Sequence, residues 1–161
     1  MKRLGCILAI ALAALADAAE QADAPHAPRF VPVDIVLDSP EPVAAWQFEL
    51  TDRNGAIKIV GIENGESPAF DRAPYYDRDA TQGGAVERVV VADYTLADEA
   101  ELPQGRTRIA TVHVLVADEA NFVVTLVAAA TADGRPIDAS ISLVLATDAK
   151  RRNRWTEEPA A

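Results

Sequence analysis

The chain has 161 residues, 15 Lys and Arg against 25 Asp and Glu, a formal net charge of −10 and one cysteine. This length fits one domain, and 10 Pro, 8 Gly and a single Met suit a turn-rich fold, while 50% hydrophobic residues supply a core and argue against wholesale disorder. The acidity sets the chain against phosphate backbones and anionic headgroups, so no nucleic-acid or membrane-surface partner is expected.

Residues 1–18 read as a signal peptide. Lys2 and Arg3 form a positive start, residues 7–15 (ILAIALAAL) are an unbroken apolar run, and Ala16-Asp17-Ala18 supplies the small-x-small pattern of a cleavage site. Cleavage is expected after Ala18, with Ala22-Asp23-Ala24 as the alternative. The run falls short of the ~20 residues a membrane span needs, so the mature chain is expected to carry no span. Export follows: periplasmic, cell-surface or secreted. Cys6 precedes the apolar run, the reverse of a lipoprotein box, and its removal with the peptide leaves no disulfide, no thiol nucleophile and no Cys-based metal site.

Residues 19–30 (AEQADAPHAPRF) read as a flexible leader, and pattern takes over in a domain spanning 31–148. Val31, Val33, Ile35 and Leu37 alternate with Pro32, Asp34 and Val36, the period of a strand with one buried face. Pro32 favours an edge or a strand start, because it cannot donate to a ladder. After the Ser39-Pro40-Glu41-Pro42 turn, Trp46, Phe48 and Leu50 alternate with Gln47, Glu49 and Thr51, with Trp46 expected in the core. Asn54-Gly55 then predicts a hairpin into a strand over 56–62. Residues 63–85 form a long irregular stretch with Tyr75-Tyr76, and such stretches tend to be functional or mobile. Strand character returns over 86–96, an acidic loop follows over 98–105, and 106–116 places Ala110, Val112, Val114 and Val116 opposite Thr111 and His113. Residues 122–130 and 139–145 complete the set, separated by the Asp133-Gly134 turn signal. About seven strands with turns roughly every ten residues predict an all-β antiparallel sandwich. Residues 149–161 read as a basic then acidic tail, with Lys150, Arg151, Arg152 and Arg154 beside Trp155.

Chemistry is sparse. Nucleophilic catalysis needs a nucleophile, a base and an orienting group, yet His26 lies in the leader and His113 sits mid-strand on the solvent side. Carboxylates are plentiful: Asp71, Asp77 and Asp79 in one loop, Asp93, Asp98, Glu99 and Glu101 in the next. A paired-carboxylate glycoside hydrolase needs two of them fixed across a cleft, which spacing alone does not supply, and solvated loops are the preferred reading. Hard cations favour clustered oxygens, so Asp77 and Asp79 are candidate calcium ligands. Asp52-x-Asn54-Gly55 fails the EF-hand pattern at both ends, with Leu50 and Gly61 where carboxylates belong. The Gly83-Gly84 pair lacks a following helix and makes no phosphate cradle. Tyr75, Tyr76 and Tyr94, with Phe70, are candidates for an exposed aromatic surface that would hold a sugar ring or anchor a protein. No cofactor is expected beyond that structural calcium.

The order of features resembles a cohesin domain. The opening strand at 31–37, then Ala44-Ala45-Trp46-Gln47-Phe48-Glu49-Leu50, a turn, and Ile57-Lys58-Ile59-Val60-Gly61-Ile62-Glu63 match the first third of that family's pattern. Val89-Val90-Val91-Ala92-Asp93-Tyr94, the Leu102-Pro103-x-Gly105 loop and Ile109-Ala110-Thr111-Val112-His113-Val114 follow in the same order, so the likeness covers residues 31–147. It implies a jelly-roll sandwich shared with carbohydrate-binding modules, no enzymatic activity, and a dockerin-type protein partner on one sheet face. The chain departs from that setting in having one copy, no dockerin-type repeat and a shorter turn after Leu50. A carbohydrate-binding module acting on a polysaccharide is the alternative expectation, and a carboxylate-dependent glycosidase a more distant one.

Overall fold

The alternating runs become strands divided between two sheets, in a computed structural model that describes residues 27–82, 84–116 and 119–145. Strands β1 (Arg29–Ser39), β3 (Lys58–Asn64), β6 (Gly105–Val116) and β8 (Ser140–Leu145) form one sheet in the order β3-β6-β1-β8. Strands β2 (Ala45–Asp52), β4 (Tyr75–Tyr76), β5 (Arg88–Tyr94) and β7 (Phe122–Ala130) form the other, in the order β4-β5-β2-β7. Every pairing is antiparallel. The two sheets make the all-β sandwich that the alternation predicts. Four of the pairings are nested in sequence: β1 with β8, β2 with β7, β3 with β6, and β4 with β5.

The core is the inward row of each strand. Val33, Ile35 and Leu37 of β1 face inward with Trp46, Phe48 and Leu50 of β2, and Val91, Val112 and Val114 join them. The Trp46 and Phe48 rings stack at 5.7 Å and 17°. Each such aliphatic or aromatic side chain contributes about 1.5–3 kcal/mol by leaving water. The edge strands β3 and β7 each depart from strict alternation at a bulge. Ile59 pairs with Val114 and Gly61 with His113, which leaves Val60 as the extra, exposed residue. Likewise Phe48 pairs with Leu126 and Gln47 with Ala128, so Val127 is extra and both Val127 and Ala128 are exposed.

Three expectations need correction. The Asn54-Gly55 hairpin does not join β2 to β3, because the two strands belong to different sheets. Asp52 Oδ1 instead accepts the Asn54 N–H at 3.0 Å and the Asn121 N–H at 2.8 Å, and Gly55 does not adopt the positive φ a tight hairpin turn would demand. The chain thus crosses between sheets, and Ile57 and Val86 exchange backbone hydrogen bonds of 2.7 and 2.8 Å on the way. Within the stretch read as irregular lie β4 and the one-turn helix α1 (Arg78–Gln82). Finally, β1 begins at Arg29, inside the span read as leader.

The Asp133-Gly134 turn forms as expected, with Gly134 at φ +81°. Beside it Arg135 donates to both carboxylate oxygens of Glu41 at 3.1 and 2.7 Å, tying the link after β7 to the link after β1. That guanidinium holds the Glu41 carboxyl below its usual range. The signal-peptide, His26, Cys6 and tail readings fall outside the described residues. Among the described residues no helix is long and apolar enough to cross a membrane.

Candidate functional site

Side chains on the outer face of the β4-β5-β2-β7 sheet follow from register. Tyr75 lies opposite Ala92, Ala92 opposite Gln47, and Gln47 opposite Ala128, which makes one cross-sheet row. The next row is Tyr94, Ala45 and Ala130. Tyr75 and Tyr94 are therefore diagonal neighbours, close enough for large rings to touch. Their rings stack at 6.0 Å and 9° and stay 55% and 52% exposed. The small residues Ala45, Ala92, Ala128 and Ala130 form a low floor beside this pair. A shallow cavity of ≈ 220 Å³ lies between the tyrosines and that floor. A larger open groove of ≈ 470 Å³ runs on the other side of Tyr75, along β5 toward Val86 and α1. Farther along the face, Arg88 bonds Glu49 at 3.1 Å.

The aromatic surface is smaller than the sequence suggests. Tyr76 follows Tyr75 on a strand and so turns the other way; it is half-buried against the core, with the Arg78 guanidinium 5.5 Å over its ring. Phe70 is 4% exposed and packs on Trp46 at 6.0 Å between ring centroids. Only Tyr75 and Tyr94 of the four are presented outward. No feature of the sequence separates them from Tyr76 and Phe70 without knowledge of β4 and its register.

The candidate acidic residues are spread out. Asp77 is exposed and lines the groove between β4 and α1, whereas Asp79 lies within α1 and its side chain is outside those described. Among the described residues no three His, Cys, Asp or Glu side chains converge on a point that would hold a metal. Asp98, Glu99 and Glu101 are exposed around a 3₁₀ turn (Glu99–Glu101). Asp93 differs: it is 6% exposed, opposite Trp46, and accepts the Tyr94 N–H at 2.8 Å. Burial pushes its carboxyl above the usual range, with the Tyr94 N–H and nearby Arg72 offsetting part of that rise.

The opposite outer face, on the β3-β6-β1-β8 sheet, is knitted together by polar groups. Thr111 donates to Asp34 at 2.7 Å and accepts from Arg108 at 2.9 Å. Arg108 also donates to the Asn64 carbonyl at 3.1 Å, while its backbone N–H donates to Glu66 at 2.9 Å. His113 lies beside this network, half-exposed as its alternation predicts, with Nε2 3.2 Å from Glu63 Oε1. No protein-family model, curated protein or solved structure matches the chain.

Proposed function

We propose that the chain is an exported, non-catalytic binding module of the cohesin-like, jelly-roll kind, and that its β4-β5-β2-β7 outer face receives a protein partner of the dockerin type. The observation that carries this reading is the exposed Tyr75–Tyr94 stack over an alanine floor. Exposed aromatic anchors beside small residues suit an interface in which a partner's side chains fill the low ground. The nested strand pairing supports the jelly-roll part of the reading, because a long hairpin wrapped on itself yields those pairs.

The non-catalytic part rests on where the reactive groups lie. His113, the single histidine among the described residues, sits beside the Glu63 carboxylate rather than a hydroxyl. The buried carboxylate of Asp93 is engaged by the neighbouring amide.

The test is affinity capture of a specific partner from exported proteins of the producing cell, followed by titration of the purified pair. Tyr75→Ala and Tyr94→Ala are expected to weaken that binding while Glu63→Ala leaves it unchanged. Retention on a polysaccharide gel that is lost in Tyr75→Ala would replace this reading with the carbohydrate-binding one.

A further inference from the structure

We propose that the open edge of β5, over Arg88–Val90, takes an extended peptide segment of a partner protein as an added strand. β5 has seven residues, but β4 pairs with it only through Tyr75 and Tyr76, opposite Ala92 and Val91. Past Tyr76 no strand lies on that side of β5 among the described residues. Backbone groups alternate in direction along a strand, so at least one of Arg88, Val89 and Val90 presents its N–H and C=O to this edge.

Proteins usually blunt such an edge by charging it, covering it or keeping it short. Here the groove of ≈ 470 Å³ runs along it. Tyr76 and Val86 both line it, and Val86 is held by its two backbone hydrogen bonds with Ile57. The buried Thr81 of α1 forms part of the wall. The one charged side chain on the stretch, Arg88, reaches across the sheet face to Glu49 at 3.1 Å and leaves the edge uncovered. This volume lies within the range of ordinary ligand sites, and three extended residues span about 10 Å of strand.

Charge selects the occupant. A second copy would bring the same net charge of −10 to this edge and is disfavoured. The net charge of −10 repels an acidic segment, so the fitting peptide is neutral to basic. Its outward side chains would run beside Arg88 and Val90 and are expected to be small or β-branched. Main-chain bonds supply affinity in this mode and alternate side chains supply selectivity. The proposal uses the β5 backbone, not Tyr94, and so goes beyond the face-binding reading.

The experiment is amide hydrogen exchange on the mature chain with an acetylated Lys-Thr-Val-Thr-Val-Lys peptide, its Glu-for-Lys counterpart, and a copy N-methylated at alternate residues. At ten times its Kd the basic peptide should slow exchange within residues 87–90 about tenfold. The acidic peptide should do so less, the N-methylated copy not at all, and Tyr94→Ala should leave the protection intact. No slowing at millimolar peptide, or equal slowing by the N-methylated copy, overturns the proposal. Protection, without peptide, of those amides in this stretch that point away from β2 also overturns it, by assigning the edge to the chain's own residues 146–161 if their deletion removes it. Protection that grows with protein concentration assigns the edge to a second copy instead.

Discussion

On one outer face Thr111 sits between Asp34 and Arg108, Arg108 reaches Asn64, and Glu63 faces His113. On the other face two tyrosines lean on each other above alanines, and each residue stays about half exposed. Both faces cover the same core and both come from period-2 strands. They differ in what they present: a hydrogen-bonded polar network centred on Thr111 on one, an exposed aromatic pair on the other. A polar group already paired within its sheet contributes to stability and offers little to a partner. Exposed aromatic surface contributes little to the isolated fold and much to an interface. The pairing of side chains across strands, rather than their composition, separates the face knitted by polar groups from the face proposed to bind.

That contrast can be broken from either side. The largest effect is expected at the corner where the chain leaves β3: a Cβ on Gly65 would lie 2.0 Å from the Arg108 carbonyl oxygen and 2.7 Å from the Ile109 backbone. Gly65→Ala should cost on the order of 3 kcal/mol in urea unfolding, with partner affinity per folded molecule preserved. A cost below about 0.5 kcal/mol would show that the knitted face is not under such constraint. Tyr94→Ala should do the reverse, weakening the partner by about 2 kcal/mol while stability moves by less than about 0.5 kcal/mol. Thr111→Val should lower stability by about 1.5 kcal/mol, because Asp34 and Arg108 each lose a partner, and leave the Kd unchanged. A shifted Kd would mean that the two faces are coupled.

The smallest effect concerns Asp93, at the margin of the tyrosine face. Its carboxyl is raised in the fold, so the folded state favours the protonated form and the ionised form costs stability at neutral pH. Asp93→Asn keeps an acceptor for the Tyr94 N–H and removes that cost, so Tm should rise at pH 7. The gain should shrink as pH falls through the raised value and vanish below the ordinary carboxylate range. Glu41 and Asp133 run the other way. Held low by Arg135 and by the Thr131 hydroxyl respectively, they contribute stability above the ordinary carboxylate range and lose it as pH falls through their lowered values. A Tm gain for Asp93→Asn that is constant from pH 3 to pH 7 would contradict the assignment to burial.

The strands were legible where alternation ran for six residues or more. β2, β6 and β7 match their sequence spans closely, since Val, Ile, Phe and Leu at every second position leave one fold for those segments. β4 was illegible because two residues carry no period, and Tyr75-Tyr76 becomes a strand only by pairing with β5. The Asn54-Gly55 signal misled for a different reason. The carboxylate of Asp52 binds two amides and turns the chain toward the other sheet, a long-range contact with Asn121 that local sequence does not encode. The site shared that limit. Residue type singles out Tyr75, Tyr76 and Tyr94, but only register reveals that Tyr75 and Tyr94 share a face and that Tyr76 turns inward.

The claim that the β4-β5-β2-β7 face is the binding surface is tested most directly by photo-crosslinking in the producing cells. A benzoylphenylalanine side chain is placed at Tyr94 in one variant and at Glu63, on the opposite face, in another. One defined protein adduct from position 94 and none from position 63 is the predicted result. An adduct from position 63 with none from position 94 would contradict it.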